Sequence, residues 1–221
     1  MSGAGPGTET TRELLAVQAA CSGCRDCADA GFQVESWSVF EGRPGQRAYL
    51  LGQAPGIVEG DERRPWRGRA GKQLRRWLGL AEDEFYATFY CASVTRCYPG
   101  RVPGGRGDRA PSPPERDLCA RWRDEELRLL RPCLVVPVGG LAIQALLGTA
   151  RLTEAIGERF ERDGAVVVPL PHPSGASSWP HQPGNRERLD RALALITAEL
   201  RALNPNAPVR AAARRSTPRW A

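Results

Sequence analysis

Three groups of side chains in this chain have the types and spacing to do chemistry. The first is the thiols: Cys21, Cys24, Cys27, Cys91, Cys97, Cys119 and Cys133. Cys24-Arg-Asp-Cys27 is a pair two residues apart, Cys97 closes an apolar run, and Cys119 follows beyond a proline-rich stretch. Four thiolates drawn from separate elements can hold a tetrahedral zinc ion or an iron–sulfur cluster. Cys21-Ser-Gly-Cys24 has the same spacing and can supply the first pair instead, whereas Cys91 and Cys133 read as core thiols. The second group surrounds His172, one of two histidines, set between Pro171 and Pro173 after an apolar run. The third is the turn Gly52-Gln53-Ala54-Pro55-Gly56, followed by Arg64-Pro65-Trp66-Arg67-Gly68-Arg69-Ala70-Gly71. Glycines there let a ligand approach the backbone closely. The polar neighbours of Trp66 argue for an aromatic presented to a ligand, the alternative being a core residue.

These residues need a frame. RAYLLG (47–52), FYATFYCASVT (85–95), CLVVPVG (133–139) and AVVVPL (165–170) read as four short apolar strands, with Pro137 an awkward member of the third. Between them, residues 69–80 carry Ala70, Leu74, Trp77 and Leu78 at helical spacing, with Gly79 to close the helix. Pro113, Pro114 and Glu115 open another helix, with Ser112 as its N-cap. GLAIQALLG and residues 185–203 complete the helical set. Alternating strands and helices imply an α/β single domain, with a central, mostly parallel four-stranded sheet flanked by helices. That domain spans 1–221, with 1–8 and about 204–221 as loose tails. Ligands of such sheets bind beyond the carboxyl ends of the strands. The glycine turn, the loop after Cys97 and the segment after Leu170 should therefore meet on one edge.

Composition narrows the class. A net charge of +6, from 31 basic and 25 acidic residues, favours polyanions only weakly. The loop before Ser112 is rich in proline and glycine and carries Arg101, Arg106 and Arg109, which suits phosphate contact. No apolar run is long enough for a membrane span. An odd number of cysteines and no secretion signal argue for a reducing, cytoplasmic compartment rather than a disulfide scaffold.

Taken together, in this order, the cysteine pair, the Gly52–Gly56 turn with Arg64–Gly71, Val94-Thr95-Arg96-Cys97 with Cys119, and His172-Pro173-Ser174-Gly175 resemble the uracil-DNA glycosylase superfamily. The similarity is to its iron–sulfur-containing bacterial and archaeal branches, of the family 4/5 kind, and runs from about Cys24 to Leu200. The resemblance implies a monofunctional enzyme that flips a deaminated base out of DNA and hydrolyses its N-glycosidic bond. It implies a [4Fe–4S] cluster on Cys24, Cys27, Cys97 and Cys119 in preference to zinc, and a monomer acting on DNA without a membrane. Gly52, Ala54, Pro55 and Gly56 would floor the base pocket and Trp66 would stack on the base, where relatives usually have phenylalanine. His172 would donate to the base oxygen. Ser174, Gly175 and Ser177 would let the DNA backbone approach, and Trp179 would fill the gap left by the flipped nucleotide.

Three departures from that family pattern bear on mechanism. The iron–sulfur branch has Glu where this chain has Gln53, so water must be held by Gln53, by a backbone carbonyl or by Glu59. Ser93 stands where relatives have an asparagine reading uracil, so base specificity should be broader and extend to hypoxanthine. Gly56 supplies no ring to exclude the thymine methyl. The missing carboxylate also keeps a second reading open, a catalytically weak or silent iron–sulfur protein that binds DNA damage. The one lysine, Lys72, lies in no glycosylase motif, which disfavours Schiff-base lyase chemistry.

Overall fold

Alternation along each central strand sorts the core into two layers. Ala48, Leu50, Phe89, Cys91, Leu134 and Val136 face one way, and Tyr49, Leu51, Tyr90, Ala92, Val135 and Val167 the other. Both sets are buried, which requires helices on both faces. The computed structural model describes residues 6–105, 107–148, 151–174, 179 and 182–203. Its strands are β1 (Ala48–Gly52), β2 (Phe89–Ser93), β3 (Leu134–Pro137), β4 (Phe160–Arg162) and β5 (Ala165–Val167). They form one five-stranded sheet in the order β2-β1-β3-β5-β4. All neighbours are parallel except β4 and β5, which pair as a hairpin. The expected four-strand sheet thus gains a short antiparallel edge strand. It was missed because Phe160-Glu161-Arg162 is half polar, as an edge strand can be.

Helices α4 (Arg69–Leu78) and α9 (Asn185–Leu203) put Leu74, Leu78, Leu189, Ala192 and Ile196 on the first layer. Leu14 of α1 (Pro6–Ser22) and Leu129 of α6 (Pro113–Leu130) cover the second. Helix α7 (Gly140–Leu147) adds Ala142 and Leu146 to it. Because α1 begins at Pro6, residues 6–8 are helical rather than part of a loose tail. Residues 1–5 and 204–221 lie outside the described residues. No helix among those described is long and apolar enough to cross a membrane.

Several local expectations hold. Gly79 closes α4 in the left-handed region, φ 67°. Ser112 opens α6, its N–H and Oγ both donating to Glu115 Oε2 at 2.8 Å. Pro137 is tolerated inside the sheet because its carbonyl still accepts from Leu170 N, while Val138 N donates to Leu51 O. Residues 85–88 are a correction. They belong to helix α5 (Glu82–Thr88), since Glu84 caps Ala81 N at 2.8 Å and Glu82, Asp83 and Glu84 fill the first turn. The strand begins only at Phe89.

One polar group lies at the centre of the second layer. Glu126 of α6 is fully buried and accepts from Tyr49 Oη (2.6 Å), Tyr90 Oη (3.0 Å) and Arg96 Nη2 (2.6 Å). It ties β1, β2 and the segment entering Cys97 to α6. Removing one partner of a buried ion pair leaves the other charge uncompensated. Glu126→Leu should therefore lower the unfolding free energy by about 3–5 kcal/mol, read from urea unfolding midpoints.

Candidate base-binding cleft and cysteine site

In the strand order, the chain steps from β1 to β2 on one side and then to β3 on the other. The crevice at such a reversal, beyond the carboxyl ends of the strands, is where open α/β sheets bind ligands. A cleft of about 1060 Å³ opens there. Gly52 and Ser93, paired in register at the ends of β1 and β2, line its floor. Gln53, Ala54, Pro55 and Gly56 follow from the turn, Trp66 from the next loop, and His172 and Ser174 from beyond β5. Arg101, Asp108 and Arg109 enter from the loop after Cys97. The three expected segments do meet on one edge.

Trp66 holds its place against backbone strain. It is a non-glycine residue at φ 60°, its carbonyl accepts from Arg75 Nη1 at 2.8 Å, and the preceding Pro65 carbonyl accepts from Tyr86 Oη at 2.6 Å. A Cβ on Gly71 would stand 1.7 Å from the Trp66 carbonyl oxygen, and one on Gly52 would stand 2.9 Å from the indole. Glycine at both positions is what lets the ring lie flush with the strand end. The ring is only 8 % exposed, so the expectation of a freely presented aromatic is corrected: Trp66 packs in the core and lines the cleft together.

His172 lies beside it, ring centroids 6.4 Å apart and planes at 35°. Ser174 N donates to His172 Nδ1 at 3.3 Å, so the neutral ring carries its proton on Nε2. Burial pushes the imidazole below the usual histidine range, opposed only by the negative charge of Glu59, so the ring is neutral at pH 7. Gly139, at φ 91°, allows the approach: a Cβ there would lie 3.3 Å from His172 Cδ2. The Ser174 N–H is therefore used internally and is not free for a phosphate.

Glu59 caps two helices. Its Oε2 accepts from Gly56 N (3.2 Å), at the start of α3 (Ile57–Glu62), and its Oε1 from Gly68 N (2.7 Å), at the start of α4. Both oxygens fix the loop that carries Trp66. Arg109 is likewise taken. It makes a two-pronged pair with Glu115 at 2.7 Å and donates to Gln33 O at 2.8 Å, so it braces the loop instead of meeting phosphate. Trp179 is a further correction: it is buried in the core, with Nε1 3.4 Å from Thr153 Oγ1, and is not a surface wedge. Arg106, Gly175 and Ser177 lie outside the described residues. Sequence reasoning missed Arg69 and Asp108, both exposed and both lining the cleft. Each sat in a motif whose other members drew the assignment.

The expected cysteines come together as well. Cys24, Cys27, Cys97 and Cys119 line one cavity, with Thr95, Arg96 and Glu115. Cys27 is on α2 (Asp26–Asp29) and Cys119 on α6, and Arg121 of α6 pairs with Asp26 at 2.5 Å. Cys21 is not in that lining; its Sγ packs 3.2 Å from Ser38 Oγ. Burial pushes the Cys97 thiol up to about 12 and Cys119 to about 11. Among the described residues no group of three or more His, Cys, Asp or Glu side chains is set to hold a metal ion.

The fold and cleft define a doubly wound α/β protein with a ligand cleft at its switch point. The uracil DNA glycosylase superfamily model matches residues 39–197, most of the chain, and the chain belongs to that superfamily. It is 26 % identical over 149 residues to the Type-4 uracil-DNA glycosylase of Sulfurisphaera tokodaii, covering 62 % of this chain and 63 % of that one. Against the Thermotoga maritima Type-4 uracil-DNA glycosylase it is 27 % identical over 142 residues, covering 62 % and 69 %. Against that of Archaeoglobus fulgidus it is 32 % identical over 98 residues, covering 43 % and 44 %. The chain thus spans less than two thirds of the Sulfurisphaera protein's length.

Arg109 holds the Glu115 carboxyl down at about 2, helped by Ser112, from an ordinary 4.5. A group with a depressed folded-state pKa contributes its stability in full above 4.5 and loses it as pH falls toward 2. In Glu115→Gln, unfolding midpoints measured across that window should fall less steeply with acidification than in the wild type.

Proposed function

We propose that the protein is a monofunctional DNA glycosylase that turns a deaminated base, uracil and also hypoxanthine, out of DNA and hydrolyses its N-glycosidic bond to leave an abasic site. It acts as a monomer in the cytoplasm. The observation that carries this reading is His172: a part-buried, neutral imidazole whose Nε2 has no hydrogen-bond partner among the described residues, beside Trp66 in a cleft floored by glycine. Breaking the bond to the sugar sends an electron pair onto the base, and the negative charge settles on its carbonyl oxygens. An Nε2–H donor aimed at one of them stabilises that charge as it develops. A neutral ring is the right form, since it donates without needing to be charged. Trp66 gives the extruded base an apolar face on which to stack. Ser93 offers one rotatable hydroxyl where discrimination needs a fixed pair of contacts, which supports a permissive pocket. Lys72 is not among the residues lining the cleft, in keeping with hydrolysis rather than lyase chemistry.

The all-sulfur donor set of Cys24, Cys27, Cys97 and Cys119, drawn from three segments around one cavity, fits a [4Fe–4S] cluster. Those residues would hold it, and bound there it would cross-link the N-terminal segment, the Cys97 loop and α6 while taking no part in hydrolysis. Cys97→Ser should lose the brown colour of the protein and lower its melting temperature.

The test of function uses oligonucleotides with a single uracil, hypoxanthine or unmodified base, single- and double-stranded, with hot alkali revealing abasic sites. Cleavage at the deaminated bases is expected. His172→Ala should cut about 100–1,000-fold more slowly while keeping its affinity for DNA. Binding of damaged DNA without any cleavage by the wild type would replace this reading with that of a silent damage binder.

A further inference from the structure

Hydrolysis needs a group to hold the attacking water and accept its proton. The Gln53 amide can hold a water but cannot take a proton at neutral pH. Glu59 has both oxygens engaged by backbone N–H groups. The other carboxylate among the described residues lining the cleft is Asp108, and its two oxygens are unlike. Oδ1 accepts from Tyr98 Oη at 2.8 Å, whereas Oδ2 accepts no hydrogen bond among the described residues. Oδ2 is directed at the glycine turn: a Cβ on Gly56 would stand 3.0 Å from it. The same Cβ would stand 2.9 Å from Glu59 Oε2, so both carboxylates close on this turn and any larger residue at Gly56 would collide with them.

The carboxylate is also held in place. The backbone of Asp108 forms an isolated antiparallel β-bridge with Arg101, Val102 N donates to Gly107 O at 2.9 Å, and Arg109 N donates to Gly100 O at 2.9 Å. The next residue, Arg109, is pinned by Glu115, and Tyr98 is anchored by its N–H donating to Ser36 Oγ at 2.8 Å. Such support from neighbouring bonds is what a catalytic carboxylate requires.

We infer that Asp108 holds the attacking water and is the general base of the reaction, supplying the carboxylate that the glycine turn lacks at Gln53. This rests on the glycosylase reading above. In the step, the C1′–N bond breaks with its electron pair leaving on the base, water oxygen bonds to C1′, and the water proton passes to Asp108 Oδ2. That proton then leaves to solvent or to the departing base anion, restoring the carboxylate.

The experiment measures single-turnover excision of uracil with enzyme in excess, together with DNA affinity, for wild type, Asp108→Ala and Tyr98→Phe. Asp108→Ala should cut about 100–10,000-fold more slowly at unchanged affinity, and added formate should recover part of the rate. Tyr98→Phe, which removes the same hydrogen bond but keeps the carboxylate, should stay within about 10-fold of wild type. If wild type cuts and Asp108→Ala cuts as fast, the inference is wrong while the glycosylase reading stands. A slow Asp108→Ala that formate does not rescue, or that has lost DNA affinity, assigns Asp108 to ordering the loop and overturns its role as base. Tyr98→Phe falling as far as Asp108→Ala overturns it in the same way. A wild type that cuts no base overturns both readings.

Discussion

A carboxylate with no exposure and three partners is the constraint on which the rest of this molecule depends. Glu126 gathers the hydroxyls of Tyr49 and Tyr90 and the guanidinium of Arg96, so two neighbouring strands, the segment entering Cys97 and helix α6 have one mutual arrangement. Tyr49 and Tyr90 also stack, centroids 5.4 Å apart, across the β1–β2 register. A buried ion pair of this kind contributes little net stability over a hydrophobic substitute, but it penalises any other arrangement. What it specifies is where α6 lies, and α6 carries Cys119 and Glu115.

From there the two sites are joined through a short chain of contacts. Glu115 lines the cysteine cavity and grips Arg109, and Arg109 lines the cleft. The loop between Cys97 and α6 is therefore fastened at both ends by groups that belong to the cysteine site. A structural cross-link at the four thiols would stiffen the segment presenting Arg101 and Asp108 to a substrate. Under the proposed function, a hydrolysis that moves no electrons between centres, that would be the purpose of the thiols.

The cleft shows a redistribution of charged work. The carboxylate nearest the glycine turn in sequence, Glu59, is consumed in capping α3 and α4, which fixes Trp66. Arg109, a basic residue of the loop that lines the cleft, is consumed by Glu115. Charged groups left facing the cleft are Arg69, at the start of α4, and Arg101 and Asp108, from the loop after Cys97, all three exposed. Local spacing cannot reveal such exchanges, because a side chain's role depends on which partner reaches it first.

While the choice of Cys27 over Cys21 in the cysteine cavity was left to the structure, the sequence by itself determined the layering, the main helices and the meeting of the three loops at the strand ends. Each of these follows from periodicity, capping residues or spacing, which are local properties of the chain. It misplaced the start of β2, because aromatic residues in 85–88 resemble a strand until Glu84 is seen to cap a helix. It left Trp66 as a presented ring and Trp179 as a wedge, and both are buried, since burial is settled by what packs from distant segments. Tertiary structure alone decided that His172 is neutral with its donor on Nε2. That followed from Ser174 N reaching Nδ1 and from burial of the ring, neither of which is written in the order of residues.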